Sequence, residues 1–247
     1  MPEDMIPIAL ETLMEFSCSS ENECFNDCCR DLHQILTPYD ILRLRKNLGM
    51  KSQAFLKKYT SLHLGPESGL PVLEFKSNPA TGHACPFVTH EGCSVYKDRP
   101  VSCRMYPLAR AFVRSRETGE VSEFFALIEE PHCKGFCKKT DLTVEKWLEG
   151  QDVQNHNEQN DKLMTLISLK NRILPGKLEG AQADIFYLGL YDLDEFRLQI
   201  FNKELLESIK VPNTVLEKIL IDDVALLDFG ISWVRFMLFG IQILSGD

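Results

Sequence analysis

The stretch FSCSSENECFNDCCRDLHQILTPYD, Phe16 to Asp40, puts four cysteines into the run from Cys18 to Cys29 and then changes character. Its second part reads as a helix start. Thr37 is the N-cap, Pro38 takes the first helical position, and Asp40 sits at the positive end of the helix dipole. Ile41, Leu42, Leu44 and Leu48 then supply an apolar stripe, and Gly49 suits the left-handed residue that closes such a helix. Cysteine-rich loop followed by amphipathic helix is the pattern of a chain that folds partly around something other than its own side chains.

Moving outward, the remaining cysteines fall into two further groups, Cys85-x7-Cys93-x9-Cys103 and Cys133-x3-Cys137; all nine lie before residue 138. The N-terminal segment carries Glu3, Asp4, Glu11 and Glu15 without a basic region, which predicts no secretory signal and a cytoplasmic, reducing setting. There, clustered thiols bind metal or do redox chemistry more often than they form disulfides. The odd count points the same way. With 247 residues, 44% hydrophobic and 26% charged, the chain has an ordinary globular balance rather than a disordered one. A net charge of −9 argues against a general nucleic-acid binder. The local exception runs from Ser94 to Arg116, where Lys97, Arg99, Arg104, Arg110, Arg114 and Arg116 face only Asp98.

The patterning predicts a mainly helical α+β fold. A cysteine-rich metal-binding region with a small antiparallel sheet covers residues 1–142, and an all-helical region over 143–247 packs on it, the two forming one compact body if no linker separates them. A helix is expected from Ser52 to Tyr59, a strand from Pro71 to Lys76, and a turn through Asn78-Pro79-Ala80-Thr81-Gly82. Ala111 to Val113 and Val121 to Ile128 flank Glu117-Thr118-Gly119-Glu120 as an antiparallel hairpin. Helical spacing begins at Trp147 and Leu148 and continues from Leu163 to Leu174, where Pro175-Gly176 stops it. Asp192-Leu193-Asp194-Glu195 has capping-box spacing, and Val215 to Ile221 forms another helix after Pro212. Val224 to Leu244 is apolar enough to suggest a membrane span, but Asp228 and Arg235 lie near one helical face, and each would be costly at a bilayer centre, by about 2.5–3.5 kcal/mol. It reads as a buried packing helix whose charges meet water or each other.

No cysteine pair has the two-residue gap of a zinc knuckle or a CxxC redox motif. The adjacent Cys28 and Cys29 diverge by about 100° on a helix and point to opposite faces of a strand. The arrangement with least strain sends one thiolate to each of two neighbouring metal centres, or to two irons of one cluster. Nine cysteines suffice for two four-thiolate centres with one left over. Zinc and iron both accept four thiolates; irregular spacings spread over several loops favour an iron–sulfur cluster, with a zinc or iron ion as the alternative. Arg99 and Arg104, beside Cys103, are placed to offset thiolate charge and donate hydrogen bonds. His83, His90 and His132 read as surface or hydrogen-bonding residues given so many better donors. Asp192, Asp194, Glu195, Asp222 and Asp223 read as helix caps. No phosphate loop, nucleophile elbow or HExxH helix occurs.

Phe16, Cys18, Cys24, Cys28-Cys29 and Leu36-Thr37-Pro38-Tyr39-Asp40 resemble the YkgJ-type cysteine-cluster family, a zinc- or iron-chelating CxxCxxCC domain. Cys85-Pro86-Phe87, the run Cys93-x-Val95-Tyr96-x-x-Arg99-Pro100-x-x-Cys103-Arg104-x-Tyr106-Pro107, and His132-Cys133-x-Gly135 come next, in the family's order. Gaps in the first cluster are longer than the family name states. The resemblance implies Cys18, Cys24, Cys28, Cys29, Cys85, Cys93, Cys103 and Cys133 as metal ligands, with Arg99, Arg104 and Tyr106 at the cofactor and Cys137 as the surplus thiol. It implies a metal-binding protein with an electron-transfer or redox-enzyme role, an iron–sulfur oxidoreductase if catalytic, acting with a protein or redox partner and without nucleic acid or an integral membrane span. A structural zinc- or iron-binding interaction module is the alternative. Methyl transfer to protein lysines is a further one, because the family includes a flagellin lysine methylase type.

Overall fold

A computed structural model describes residues 5–30, 33–66, 68–114, 121–137, 142–202, 205–206 and 209–242. In chain order the strands and helices are β1 (Met5–Ile8), β2 (Ile35–Leu36), α1 (Pro38–Asn47), α2 (Ser52–Tyr59), β3 (Thr60–Leu64), β4 (Pro71–Phe75), β5 (Val88–Thr89), β6 (Gly92–Cys93), α3 (Val101–Met105), β7 (Leu108–Arg114), β8 (Val121–Ile128), α4 (Val144–Gly150), α5 (Gln154–Ile173), α6 (Ala181–Leu190), α7 (Leu193–Phe201), α8 (Asn213–Ile221) and α9 (Asp223–Phe239). The fold is mainly helical α+β, and from Thr143 onward the named elements are all helices. The small antiparallel sheet expected in the cysteine-rich half is present, and among the described residues the strands pair in the orders β1-β8-β7, β2-β4-β3 and β5-β6, all antiparallel.

Contacts gather the chain into two compact units, neither continuous in sequence. The cysteine unit comprises Met1–Leu32 and Ser77–Asn157, and every cysteine of the chain falls within it. Its framework is the β1-β8-β7 sheet. The strands flanking the expected hairpin pair in register, Ala111 opposite Phe124, while the expected turn at 117–120 lies outside the described residues. β1 joins as an edge strand, the position in a sheet that tolerates Pro7. Residues 10–14 then run along the start of α4: Met14 donates to the Leu142 carbonyl at 2.8 Å and Val144 to that of Thr12 at 3.0 Å. Met14, Phe16, Met105, Leu108, Phe125, Val144, Leu148 and Val153 form the core beneath.

The helical unit comprises His33–Lys76 and Glu158–Asp247. α1 starts as its sequence dictates. The Thr37 hydroxyl accepts from the Asp40 N–H at 3.2 Å, the Asp40 carboxylate accepts from the Thr37 N–H at 3.0 Å, and Gly49 takes φ 61° after the last turn. β4 buries Pro71, Leu73 and Phe75 in strict alternation, with Leu73 opposite both Leu36 and Leu62. α9 is a packing helix, as its charges required: Leu226, Leu227, Trp233 and Val234 are buried, and Asp228 pairs with Lys162 of α5 at 2.7 Å. No helix among the described residues is long and apolar enough to cross a membrane. α6 crosses α9 at Gly189 and Gly230, where a Cβ on Gly230 would stand 2.0 Å from the Gly189 carbonyl oxygen. Asp192 caps α7 through the Glu195 N–H, and Asp222 caps α9 through Val224 and Ala225.

Asp194 and Asp223 are more than helix-start residues. Arg45, itself buried, bonds Asp223 at 2.7 Å and approaches Asp194 at 3.5 Å; Arg197 also binds Asp223. Ser52 donates both its N–H, at 2.7 Å, and its hydroxyl, at 2.8 Å, to Asp194. Burial alone would raise both carboxyls. Ser52, Arg45 and Lys51 outweigh it at Asp194, and Arg197, Arg45 and Lys46 outweigh it at Asp223, so both are held below the ordinary value. A carboxyl lowered in the folded state contributes stability that is whole above its unfolded pKa of about 3.9 and is lost as pH falls through the folded value. Thermal melts followed by circular dichroism should therefore hold a steady midpoint from neutral pH to about pH 5 and fall below about pH 4. Asp223→Asn should lower the midpoint at neutral pH and shrink the further loss in acid. Gly230→Ala, which forces α6 and α9 apart, should cost about 2–3 kcal/mol in a denaturant titration.

Candidate metal centre

The first cysteine loop is anchored by Phe16. Its ring is buried, meets Phe136 at 5.1 Å and Trp147 at 5.3 Å, and edges onto Tyr106 at 6.3 Å between centroids. Gly135 lies directly against it, where a Cβ would come 2.4 Å from a ring carbon. The Ser17 N–H then donates to the Gly135 carbonyl at 3.0 Å, so Cys18 leaves the core beside the segment that carries Cys133. Short polar turns shape the chain from there to Cys29. Asn22 bonds the Ser17 carbonyl at 2.9 Å, and Asn26 takes the left-handed conformation with φ 71°. Asn26 also sends its side-chain amide to the Thr89 carbonyl at 2.9 Å, on the β5-β6 hairpin. Cys28 and Cys29 lie in a single 3-10 turn, Asp27–Cys29.

Two other cysteine-bearing segments close on this first loop. The Lys134 N–H donates to Cys24 Sγ at 3.1 Å, and the Cys85 N–H donates to the Cys29 carbonyl at 2.8 Å. Cys93 pairs with Val88 across the hairpin. The backbone groups of Phe87 and Val88 favour negative charge on Cys85, and that of Val95 does so on Cys93, each against burial. Backbone groups of this kind stabilise sulfur that carries negative charge. The expected divergence of Cys28 and Cys29 is incomplete: their thiols hydrogen-bond each other, because the tight turn, unlike a regular helix or strand, folds the pair back together. Cys103 stands half-buried on α3, next to Arg104. Among the described residues no disulfide joins the eight cysteines from Cys18 to Cys133, and Cys18 and Cys28 are exposed. Cys137 belongs to a short 3-10 turn, Gly135–Cys137, and its side chain lies outside the described part.

Cys18, Cys28, Cys85 and Cys93 resist ionisation. Burial pushes Cys18 up, and Cys28, Cys24 and Cys133 add their repulsion. Cys28 is raised first by its bond to Cys29 and then by burial. Burial pushes Cys85 up to about 11 against the backbone groups of Phe87 and Val88. Cys93 is also raised by burial, with Val95 and Arg99 opposing. A group of mutually repelling thiols of this kind is relieved by a cation, whose charge reverses the local balance. Among the described residues no three His, Cys, Asp or Glu side chains already stand at coordination spacing.

The expected basic partners divide. Arg99 acts on Cys93 but is built into the loop, donating to the Tyr96 carbonyl at 2.7 Å and to the Gln151 side chain at 2.6 Å. Arg104, 3% exposed, binds three carbonyls, those of Lys97, Arg99 and Gln151. These bonds make it a staple of the Cys93–Cys103 loop. The Tyr106 hydroxyl is buried without a hydrogen-bond partner, and desolvation pushes it upward, with Cys133 and Glu130 adding to the shift. Three participants had no signal in the sequence: Gln151, Glu130 and the left-handed Asn26. His83 bonds Ser77, while His90 and His132 pair with exposed acidic neighbours.

A family model described as "Putative zinc- or iron-chelating domain" (CxxCxxCC) matches residues 17–134. Over those residues the chain is similar to the CxxCxxCC family. The matched CxxCxxCC domain begins one residue after Phe16 and ends one residue before Gly135, and between these limits it contains Cys18 through Cys133. It also runs through α1 and β4, elements of the helical unit. Comparison with curated proteins and with solved structures finds no match. Gly135→Ala, just outside the CxxCxxCC domain, should displace the Phe16 ring and cost about 1–3 kcal/mol in a denaturant titration. Near-ultraviolet circular dichroism should change with it, since Phe16, Tyr106 and Trp147 share one cluster.

Proposed function

We propose that the cysteine unit holds a thiolate-ligated metal centre, an iron–sulfur cluster in preference to zinc, and that the protein serves electron transfer or redox catalysis with a partner protein in the reducing cytoplasm. The observation that carries this reading is the closure of two other cysteine-bearing segments on the first cysteine loop, with Lys134 donating to the Cys24 sulfur and Cys85 to the Cys29 carbonyl. The family description, zinc- or iron-chelating, supports the metal. Ligands are drawn from Cys18, Cys24, Cys28, Cys29, Cys85, Cys93, Cys103 and Cys133, with Cys137 to spare. Closing them on ions requires rotation of thiol side chains, a change well within the freedom of half-exposed cysteines.

Each nearby residue has its own task. Arg99 lowers the cost of charge at Cys93, Arg104 holds the loop that carries Cys93 and Cys103, and Tyr106 offers a hydroxyl donor beside Cys133. When bound, an iron–sulfur cluster supplies one-electron chemistry. The exposure of Cys18 and Cys28 supports electron exchange at the surface rather than reaction in a closed pocket. Full-length protein purified without oxygen should be brown, bleach with dithionite, and contain iron with acid-labile sulfide. A colourless protein with stoichiometric zinc would leave the metal reading standing and remove the redox one. Cys103→Ser should lose metal, whereas Cys137→Ser should keep it; full metal content in the Cys103 variant would strike that residue from the ligands.

A further inference from the structure

In the helical unit β3 forms the edge of its sheet, with β4 on one side and, among the described residues, no strand on the other. Hydrogen bonds fix which backbone groups face the open side. The Lys76 N–H donates to the Tyr59 carbonyl at 2.8 Å and the Gly65 N–H to that of Leu70 at 2.9 Å, so by the antiparallel alternation Ser61 and His63 turn toward β4. The Phe75 N–H donates to Gln34 at 3.2 Å on the other side of β4, in keeping with the same alternation. The N–H and C=O groups of Leu62 and Leu64 therefore point outward, and Thr60 ends the row, its N–H and hydroxyl both taken by the Leu56 carbonyl. The two leucines are 55% and 40% exposed. Soluble proteins blunt such edges with lysine, proline or a bulge. Thr60–Leu64 has none of these, and its register with β4 is unbroken.

Leu62 stands opposite Leu73 and shares its face of the sheet. On that face a cavity of about 300 Å³ opens between β3, α2 and α6, with Leu56, Leu62 and Leu73 as its apolar wall and Gln53, Lys57 and Tyr187 as its polar one. The free charge beside it is positive. Lys57 and Lys58 are exposed at the end of α2, and Lys76 bonds the Lys57 carbonyl. The nearby acids are engaged: Glu74 lies on the opposite face with Ser61 and His63, and Asp192 caps α7. We propose that β3 receives an extended segment of a partner protein as an added antiparallel strand, its pattern apolar-x-apolar-x-acidic from N- to C-terminus. The first apolar residue lies against Leu64. The second exchanges both backbone hydrogen bonds with Leu62 and projects its side chain on the same face, over the cavity. The acidic residue falls opposite Thr60, within reach of Lys57. Exposed backbone groups select a strand, the leucines and the cavity select alternate apolar side chains, and the lysines select the charge. This docking asks nothing of the cysteine unit, so it stands or falls apart from the metal reading.

The test is fluorescence anisotropy of the full-length protein with a labelled, end-capped peptide of the pattern leucine-threonine-leucine-threonine-glutamate. Binding should saturate, and hydrogen exchange at the Leu62 and Leu64 amides should slow when the peptide is bound. N-methylation of the second leucine of the peptide, which removes a backbone donor and leaves every side chain in place, should weaken binding about tenfold or more. Leu62→Thr, which keeps a strand-forming residue but removes apolar surface, should also weaken it about tenfold. Lys57→Glu should weaken the glutamate peptide and favour its lysine counterpart. Failure of the glutamate peptide to saturate overturns the proposal, as does binding indifferent to N-methylation or equal for the two peptide charges. A concentration-dependent dimer of the protein alone in sedimentation, dissociated by Leu62→Thr, would assign the edge to a second copy and overturn the partner. Far-ultraviolet circular dichroism checks the fold of each variant, and the peptide modifications test the wild-type protein without them.

Discussion

The contact of the Phe16 ring with the Cα of Gly135 is the constraint on which the cysteine unit turns. With no room for a Cβ at residue 135, the two backbones come close enough for Ser17 to bond the Gly135 carbonyl, and that bond sets Cys18 beside the segment of Cys133. Phe16 is a core residue, held by Trp147, Phe136 and Tyr106, so the position of an exposed sulfur is determined by burial of a neighbouring ring. This is how an irregular loop obtains precision. Its own short turns supply curvature, while a single aromatic anchor supplies location.

The two units deal with charge in opposite ways. In the helical unit the charges are complete: Arg45 and Arg197 meet Asp194 and Asp223, and the carboxyls are held ionised despite burial. In the cysteine unit burial, with help from neighbouring thiols, holds Cys18 toward the neutral form, and Cys29 and burial do so for Cys28. Charge is thus balanced by side chains of both signs in the first and suppressed at these sulfurs in the second. Arg104 illustrates the difference. Beside Cys103, its guanidinium donates to three backbone carbonyls, satisfying acceptors in the loop that carries the cysteine.

Local signals were legible wherever a few neighbouring residues settle the matter. The Thr37 N-cap, the Pro175-Gly176 stop, the strand at Pro71 and the in-register flanks of the β7-β8 hairpin are all cases in which the decisive hydrogen bonds or torsions lie within a few residues of the chain or across one turn. Elements without such a signature escaped. α6 begins at Gly180, which has no capping side chain, and β1 carries a proline that speaks against a strand until its edge position is known. β2 and β3 are strands only because β4 lies between them.

Cysteine identity, number and absence from the last 110 residues are properties of the sequence alone, and with the compartment argument they indicate free thiols gathered for metal. Which sulfur neighbours which is a property of the tertiary structure. Spacing along the chain says nothing of the Lys134 bond to Cys24 or of Cys85 donating to Cys29, because contacts between such distant segments depend on how the core beneath them packs. The same holds for Cys28 and Cys29: adjacency suggested divergence, and a 3-10 turn entered through a left-handed asparagine brought the two thiols together.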